Sequence, residues 1–180
     1  MKIIVLDRDG VINEDSPDYI KSPEEWVPIN GSLEAIAMLT NSGYQVVVAT
    51  NQAGIDRKIF NMDSLNLIHK KMHSSVRKAG GNISAIFYCP CLEGPDCHCR
   101  KPKPGMLVDI ALRYNVTPQG IPYVGDSLKD LQAASAAKYL PVLVLTGNGK
   151  KTQKMSNLPT ETVVYPDLRE AVIDVLNKNN

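Results

Sequence analysis

Four apolar residues, Ile3-Ile4-Val5-Leu6, stop abruptly at Asp7-Arg8-Asp9-Gly10, and no other stretch of the chain restricts the fold as much. A short, unbroken, β-branched run predicts a strand buried on both faces, as in a parallel sheet. In extended backbone the side chains alternate, so Asp7 and Asp9 are expected on one side and Arg8 on the other, with Gly10 permitting a tight exit. Two carboxylates so close repel unless a divalent cation or a shared proton resolves them. Acidic residues at a strand end can equally begin an ordinary polar loop.

Similar apolar runs recur along the chain. Gln45 to Ala49, Ala85 to Tyr88, Ile121 to Val124 and Val142 to Leu145 read as strands. Between them, helical periodicity covers Ser32 to Asn41, Asp63 to Ala79, Pro104 to Arg113 and Leu128 to Ala137, with Ser32, Asp63 and Ser127 placed to cap. Gly147 to Thr162 reads as an irregular connection before a last helix at Asp167 to Leu176. This βαβα order predicts an α/β fold, a Rossmann-like parallel sheet with helices on both faces. Ligands of such sheets bind beyond the carboxyl ends of the strands.

The residues expected at those ends are chemically coherent. Thr50-Asn51-Gln52-Ala53-Gly54 offers a hydroxyl, two amides and a glycine, Arg100-Lys101 offers cations, and Gly125-Asp126-Ser127 with Asp130 offers further acids. Phosphoryl transfer requires such a set, because the transferred group spreads negative charge over its oxygens and is stabilised by positioning and by cations. One carboxylate can act as nucleophile and a second as proton donor and acceptor, with Mg²⁺ relieving the repulsion of anion approaching anion. Taken singly, Thr50 also suits a turn and Asp126 a helix N-terminus.

All four cysteines lie in Cys89-Pro90-Cys91-Leu92-Glu93-Gly94-Pro95-Asp96-Cys97-His98-Cys99. Two C-x-C pairs can close a tetrahedral Zn²⁺ site in a loop too small for its own core, with His98 a bystander. Two disulfides, or thiols without a structural role, are the other readings. Disulfides are disfavoured in a reducing compartment. Four thiolates leave no open coordination position, so the zinc would shape the loop that delivers Arg100 and Lys101.

Length and charge exclude several classes. At 180 residues, 43% hydrophobic and net +1, one domain over 1–180 is expected. Lys70, Lys71, Arg77 and Lys78 read as a solvated helix face, and one Trp with two Phe is thin provision for base stacking. No nucleic-acid partner is therefore expected. Met1 and Lys2 enter the first strand without a charged leader, and no run approaches membrane-spanning length, so the expectation is a cytoplasmic protein with no membrane partner.

The motif order resembles the haloacid dehalogenase superfamily of aspartyl-phosphate phosphatases, with Asp7-Arg8-Asp9-Gly10 first, Thr50 second, Lys101 third and Gly125-Asp126 with Asp130 fourth. The resemblance implies Asp7 as nucleophile, Asp9 as general acid and base, and Thr50 and Lys101 as stabilisers of the phosphoryl oxygens. It also implies Mg²⁺ on Asp7, Asp126 and the backbone carbonyl of Asp9. About forty residues between the first two motifs leave no room for a lid domain, so the site should be uncapped. Closure then falls to short loops carrying Asp15, Ser16, Asp18, Asn51, Gln52, Ala53, Arg57, Arg100 and Ser127, expected to bind a small phosphorylated sugar, with the protein a monomer.

Among uncapped, zinc-loop members, Thr50-Asn51-Gln52 with Gly54-Ile55 and Arg57, the run Cys99 to Met106, and Val124 to Ser127 resemble the branch that acts on a heptose bisphosphate, and imply that Arg100 meets the second phosphate or the sugar. Members acting on histidinol phosphate are similar enough to remain an alternative, as does a zinc-stabilised binding module without turnover. The chain departs from the family pattern at Cys91, where histidine is usual, at Ala53, where serine is common, and at Lys58, where glycine is common.

Overall fold

In the computed structural model, which describes residues 1–178, six parallel strands form one sheet in the order β3-β2-β1-β4-β5-β6. In chain order the elements are β1 (Lys2–Leu6), α1 (Ser32–Asn41), β2 (Tyr44–Asn51), α2 (Met62–Lys78), β3 (Ala85–Cys89), α3 (Gly105–Tyr114), β4 (Pro122–Gly125), α4 (Leu128–Ala136), β5 (Leu140–Val144), α5 (Gly149–Thr152), β6 (Val163–Tyr165) and α6 (Leu168–Lys178). The first four strands and the four longer helices that follow them agree with the sequence expectation to within one or two residues.

Strand alternation divides the core between two faces. Ile4 and Leu6 of β1 with Val46 and Val48 of β2 pack on Ile36 and Leu39 of α1, Ile68 and Met72 of α2, and Val172 of α6. Ile3 and Val5 with Val47 and Ala49 face the other way, onto Leu107 and Ile110 of α3 and Ala133 and Ala134 of α4. Helices therefore cover both faces, and β1 is buried because each of its sides meets one of these layers.

The chain leaves β3 at one edge, crosses to the far side of β1 through α3, and enters β4. β1 and β4 are thus the neighbours between which the winding reverses, where a crevice opens beyond the strand ends. Leu6 pairs with Val124, and the Asp7 N–H donates to Val124 O at 2.8 Å, so Asp7 emerges beside Gly125-Asp126.

Two caps differ from expectation. Gly31 in left-handed backbone (φ 82°), not Ser32, precedes α1, and the Ser32 hydroxyl instead donates to Val11 O at 2.8 Å. Asn61, not Asp63, caps α2, its Oδ1 accepting the Ser64 N–H at 2.9 Å. Ser127 does precede α4, and its N–H donates to Asp130 Oδ2 at 3.0 Å. The stretch 147–162 is not wholly irregular, since it holds α5, and the three-residue edge strand β6 follows it. Four and three residues are too few to show a periodicity.

The face expected to be solvated on α2 is so at Lys70, Arg77 and Lys78. Lys71 departs from it: its ammonium donates to Pro23 O (2.6 Å) and Trp26 O (2.8 Å) and lies over the Trp26 ring, tying residues 23–26 to the helix. Segments 7–31 and 90–104, which flank the crevice, contain no further helix or named strand; residues 9, 13 and 28 form isolated bridges. No helix among the described residues is long and apolar enough to cross a membrane.

Candidate active site

A cavity of about 210 Å³ opens at the carboxyl ends of β1, β2 and β4. Asp7, Asp9, Thr50, Asn51, Gln52, Lys101, Asp126, Ser127 and Asp130 line it, together with Asp15 and Ser16 from segment 7–31. Asp18, Ala53, Arg57 and Arg100 do not. Asp18 and Arg57 lie on exposed loop surface, Ala53 is buried, and the Arg100 guanidinium donates to Cys91 O at 3.3 Å.

Arg8 also lines the cavity, contrary to the expected alternation. β1 ends at Leu6, and the Arg8 carbonyl accepts the N–H groups of Val11, Ile12 and Asn13, so the chain is already turning and strand geometry no longer applies. Arg8 folds back so that its guanidinium meets the Asp9 carboxylate at 3.0 Å.

Lys101 is the electrostatic centre. Its ammonium contacts Asp7 Oδ1 (2.8 Å), Asp130 Oδ1 (2.5 Å), the Tyr123 hydroxyl (2.8 Å) and Ala49 O (3.1 Å). Burial disfavours its charge, but the Asp130 and Asp7 carboxylates outweigh burial and hold its pKa above the usual lysine range. In turn Lys101 overcomes burial at Asp130 and keeps that carboxyl below its ordinary value. Asn51 is committed to the same residue. Its side chain donates to Lys101 O and accepts the Lys101 N–H, both at 3.1 Å, so it clamps the lysine backbone across the gap between β2 and the cysteine loop.

Asp7 and Asp126 are left with excess negative charge. Burial, then Asp130, raises the Asp7 pKa well above that of a free carboxyl despite the opposing Lys101. Burial and Asp130 raise Asp126 to about 7 against hydrogen bonds from Asn148. Carboxylate oxygens of Asp7, Asp126 and Asp130 lie within 4.8 Å of one another. One Lys101 ammonium, shared between Asp130 and Asp7, cannot balance three carboxylates, so the cluster keeps hard oxygen donors and excess negative charge that suit a divalent cation such as Mg²⁺. On Asp7, the Lys101 ammonium and the Arg8 N–H both fall on Oδ1, so Oδ2 takes no hydrogen bond among the described residues.

Besides Arg8 and Tyr123, the residues that sequence reasoning missed come from the segment running from the end of β5 through α5. The Asn148 N–H (2.7 Å) and side chain (3.2 Å) both donate to Asp126 Oδ2, and the same amide reaches Asp15 at 2.8 Å. The Thr152 hydroxyl holds Asp126 O, and the Thr146 hydroxyl holds Gly10 O. Gly10 and Gly147, both at positive φ, press on Asp126: a Cβ there would stand 2.1 and 2.2 Å from its Oδ2. Only the glycine-rich composition of 147–149 hinted at such close approach.

In the cysteine loop all four Sγ atoms lie within 4.8 Å of one another, with Cys89–Cys97 at 3.5 Å and Cys97–Cys99 at 3.8 Å, and all are free thiols. Sulfurs bound to one tetrahedral zinc at ~2.3 Å stand about 3.8 Å apart, so this donor set fits that ion. Burial drives the Cys89 thiol pKa up, whereas at Cys97 the Arg100 N–H and neighbouring thiols outweigh burial and bring it down to about 7. The Lys103 ammonium plugs the loop from within, donating to Gly94 O (2.8 Å), Pro95 O (3.3 Å) and Cys97 O (2.6 Å).

This geometry can be set beside known proteins. A HAD-hydrolase-like family model matches residues 98–171. D-glycero-β-D-manno-heptose-1,7-bisphosphate 7-phosphatases are 50% identical in Neisseria meningitidis, covering 99% of this chain and 97% of that protein, and 52% identical in Bordetella bronchiseptica, covering 99% of both. Among solved structures, D,D-heptose 1,7-bisphosphate phosphatase from B. bronchiseptica, complexed with magnesium and phosphate, superposes with a TM-score of 0.97 at 51% identity over 99% of both chains. The Burkholderia thailandensis enzyme superposes at 0.79 with 48% identity, over 98% of this chain and 99% of its own. Fold and sequence together define a phosphoric monoester hydrolase of the HAD-like class. Within that class, the chain belongs to the D-glycero-β-D-manno-heptose-1,7-bisphosphate 7-phosphatase family.

Proposed function

We propose that this protein is an uncapped, single-domain, Mg²⁺-dependent phosphatase that removes the 7-phosphate of D-glycero-D-manno-heptose 1,7-bisphosphate during synthesis of nucleotide-activated heptose for lipopolysaccharide core. The observation that carries the chemistry is the meeting of Asp7, Lys101 and Asp126 at one small cavity. Full-length identity with phosphatases of that substrate supports heptose bisphosphate over histidinol phosphate.

Asp7 attacks phosphorus while Asp9 gives a proton to the departing sugar oxygen, leaving an aspartyl-phosphate and the alcohol. Asp9, now a base, takes a proton from water, which attacks phosphorus and releases phosphate with Asp7 restored. Lys101 and the Thr50 hydroxyl, which accepts from Gln52 Nε2 at 2.9 Å and keeps its proton to donate, receive the phosphoryl oxygens. Mg²⁺, held by Asp7, Asp126 and the Asp9 carbonyl, supplies charge neutralisation for anion approaching anion. A structural Zn²⁺ on Cys89, Cys91, Cys97 and Cys99 sets the loop before Lys101. A reducing cytoplasm, where four cysteines gathered at one site stay available as thiolate ligands, suits this enzyme.

The test is a side-by-side measurement of kcat/KM on the heptose bisphosphate, histidinol phosphate and a 3′-phosphorylated oligonucleotide, with Asp7→Asn as control. The heptose substrate is expected to lead by at least about tenfold and the variant to lose roughly a thousandfold or more. Preference for either competitor, or near-normal turnover by the variant, refutes the proposal.

A further inference from the structure

A general acid must present its carboxyl to one oxygen in one place, and here that carboxyl is held by a network extending beyond the cavity. Asp9 Oδ1 accepts from Arg8 Nε (3.1 Å), Arg8 Nη2 (3.0 Å) and Asn13 Nδ2 (2.9 Å); Oδ2 accepts from Arg8 Nη2 (3.0 Å) and Gln52 Nε2 (3.1 Å). Asn13 gives its amide hydrogens to this purpose and to Glu14 O while its own Oδ1 stays buried without a partner, an arrangement that costs about 1–3 kcal/mol.

Arg8 does most of the holding, and it is 1% exposed against 22% for the Asp9 side chain. A guanidinium is a rigid fork, so whatever fixes its far corner fixes the edge that grips Asp9. The far corner is Nη1, and it faces His69 Nε2 on α2 at 3.4 Å. Only a neutral imidazole with its proton on Nδ1 can accept there. The surroundings favour the neutral ring, since burial, reinforced by Arg8 and His73, lowers the His69 pKa to about 3, and the Arg8 donor facing Nε2 selects the tautomer. Tyr88 packs edge-on against the ring and steadies it from the β3 side.

We propose that His69 is a positioning residue for the phosphatase reaction, its Nε2 accepting from Arg8 Nη1 and so aligning the guanidinium that aims Asp9 at the leaving oxygen. This rests on the acid–base role proposed for Asp9.

The experiment uses side-chain geometry. A glutamine amide oxygen reaches about as far as Nε2 and an asparagine oxygen only as far as Nδ1, so His69→Gln keeps the acceptor and His69→Asn removes it, while both stay polar and neutral. First-turnover rates are measured by rapid quench for each variant, and for Asp9→Asn, on a sugar phosphate and on p-nitrophenyl phosphate, whose leaving group departs without a proton. Asn should lower the sugar-phosphate rate about tenfold or more with KM little changed, and the nitrophenyl rate by less than about twofold; Gln should recover most of the loss. Equal losses on both substrates for Asn, or no difference between Asn and Gln, overturn the inference while leaving the phosphatase reading intact. Equal losses for Asp9→Asn remove the role assigned to Asp9 itself, and the inference with it.

Discussion

Lys101 Nζ and Asp130 Oδ1 meet at 2.5 Å, where only 3% and 1% of their side chains are exposed. The lysine comes from the end of the cysteine loop and the aspartate from the first turn of α4, so the pair joins two segments that the sheet alone would leave apart. It also differentiates the acids: Lys101 is shared by Asp130 and Asp7 through one oxygen of each, and no ion pair joins it to Asp126 among the described residues.

Breaking that pair should therefore be costly. Asp130→Asn leaves Lys101 buried with Asp7 as its remaining carboxylate, and truncating one partner of a buried ion pair typically costs about 3–5 kcal/mol. Urea denaturation of the metal-free protein is expected to show a loss of that order with an unchanged m-value, together with reduced turnover. A loss below about 1 kcal/mol would show that the pair contributes little.

Gly147→Ala should damage the site more than the fold. Its Cβ would stand 2.2 Å from Asp126 Oδ2 and 2.6 Å from the Gly10 Cα in backbone at φ 52°, so Asp126 and the Gly10 turn must both shift. The expected result is Mg²⁺ affinity weakened by about tenfold or more, read by calorimetry, with an unfolding cost of about 1–3 kcal/mol.

Protein purified without added metal should carry near one equivalent of zinc by elemental analysis. Cys97→Ser removes a thiolate from the middle of the cluster, where Cys97 lies within 3.8 Å of both Cys89 and Cys99. Zinc content should fall severalfold and the melting temperature by several degrees, since a loop without a core depends on its metal.

Acid should weaken the fold through His69. Its folded pKa is lowered to about 3, so between about 6.5 and 3 the unfolded chain binds a proton that the folded chain does not. The contribution is complete above about 6.5 and is lost as pH falls, at a slope approaching 1.4 kcal/mol per pH unit. Arg8, Asp9 and His73 face the same ring, and the lowered pKa of His73 acts in the same direction, so the measurement is the difference between wild type and His69→Gln. The denaturation midpoint should fall less between pH 7 and pH 5 in the variant than in wild type.

Legibility followed the range of the forces involved. β1 and β2 could be read because burial on both faces demands unbroken apolar residues, and the helices because a single apolar stripe repeats along them. Edge strand β6, only half-buried, and the four-residue α5 carried neither pattern. The acids at the strand ends were visible for a related reason: charge following directly on a buried strand is conspicuous. Asn148, which grips Asp126 from 22 residues away, was not, because an asparagine after a glycine looks like any turn. Arg57 and Arg100 show the converse, cations attractive by type that do not line the cavity: Arg57 lies on exposed loop surface and the Arg100 guanidinium meets Cys91 O.

Local sequence determined the sheet-and-helix alternation, the strand-end carboxylates and the clustering of thiols, since each depends on neighbours a few residues apart. That Lys101 keeps Asp130 ionised while burial raises the pKa of Asp7 and Asp126 was decided only by the tertiary structure. The sign and strength of a buried charge depend on groups brought within a few ångströms by the crossover between β3 and β4, and no linear pattern encodes those distances.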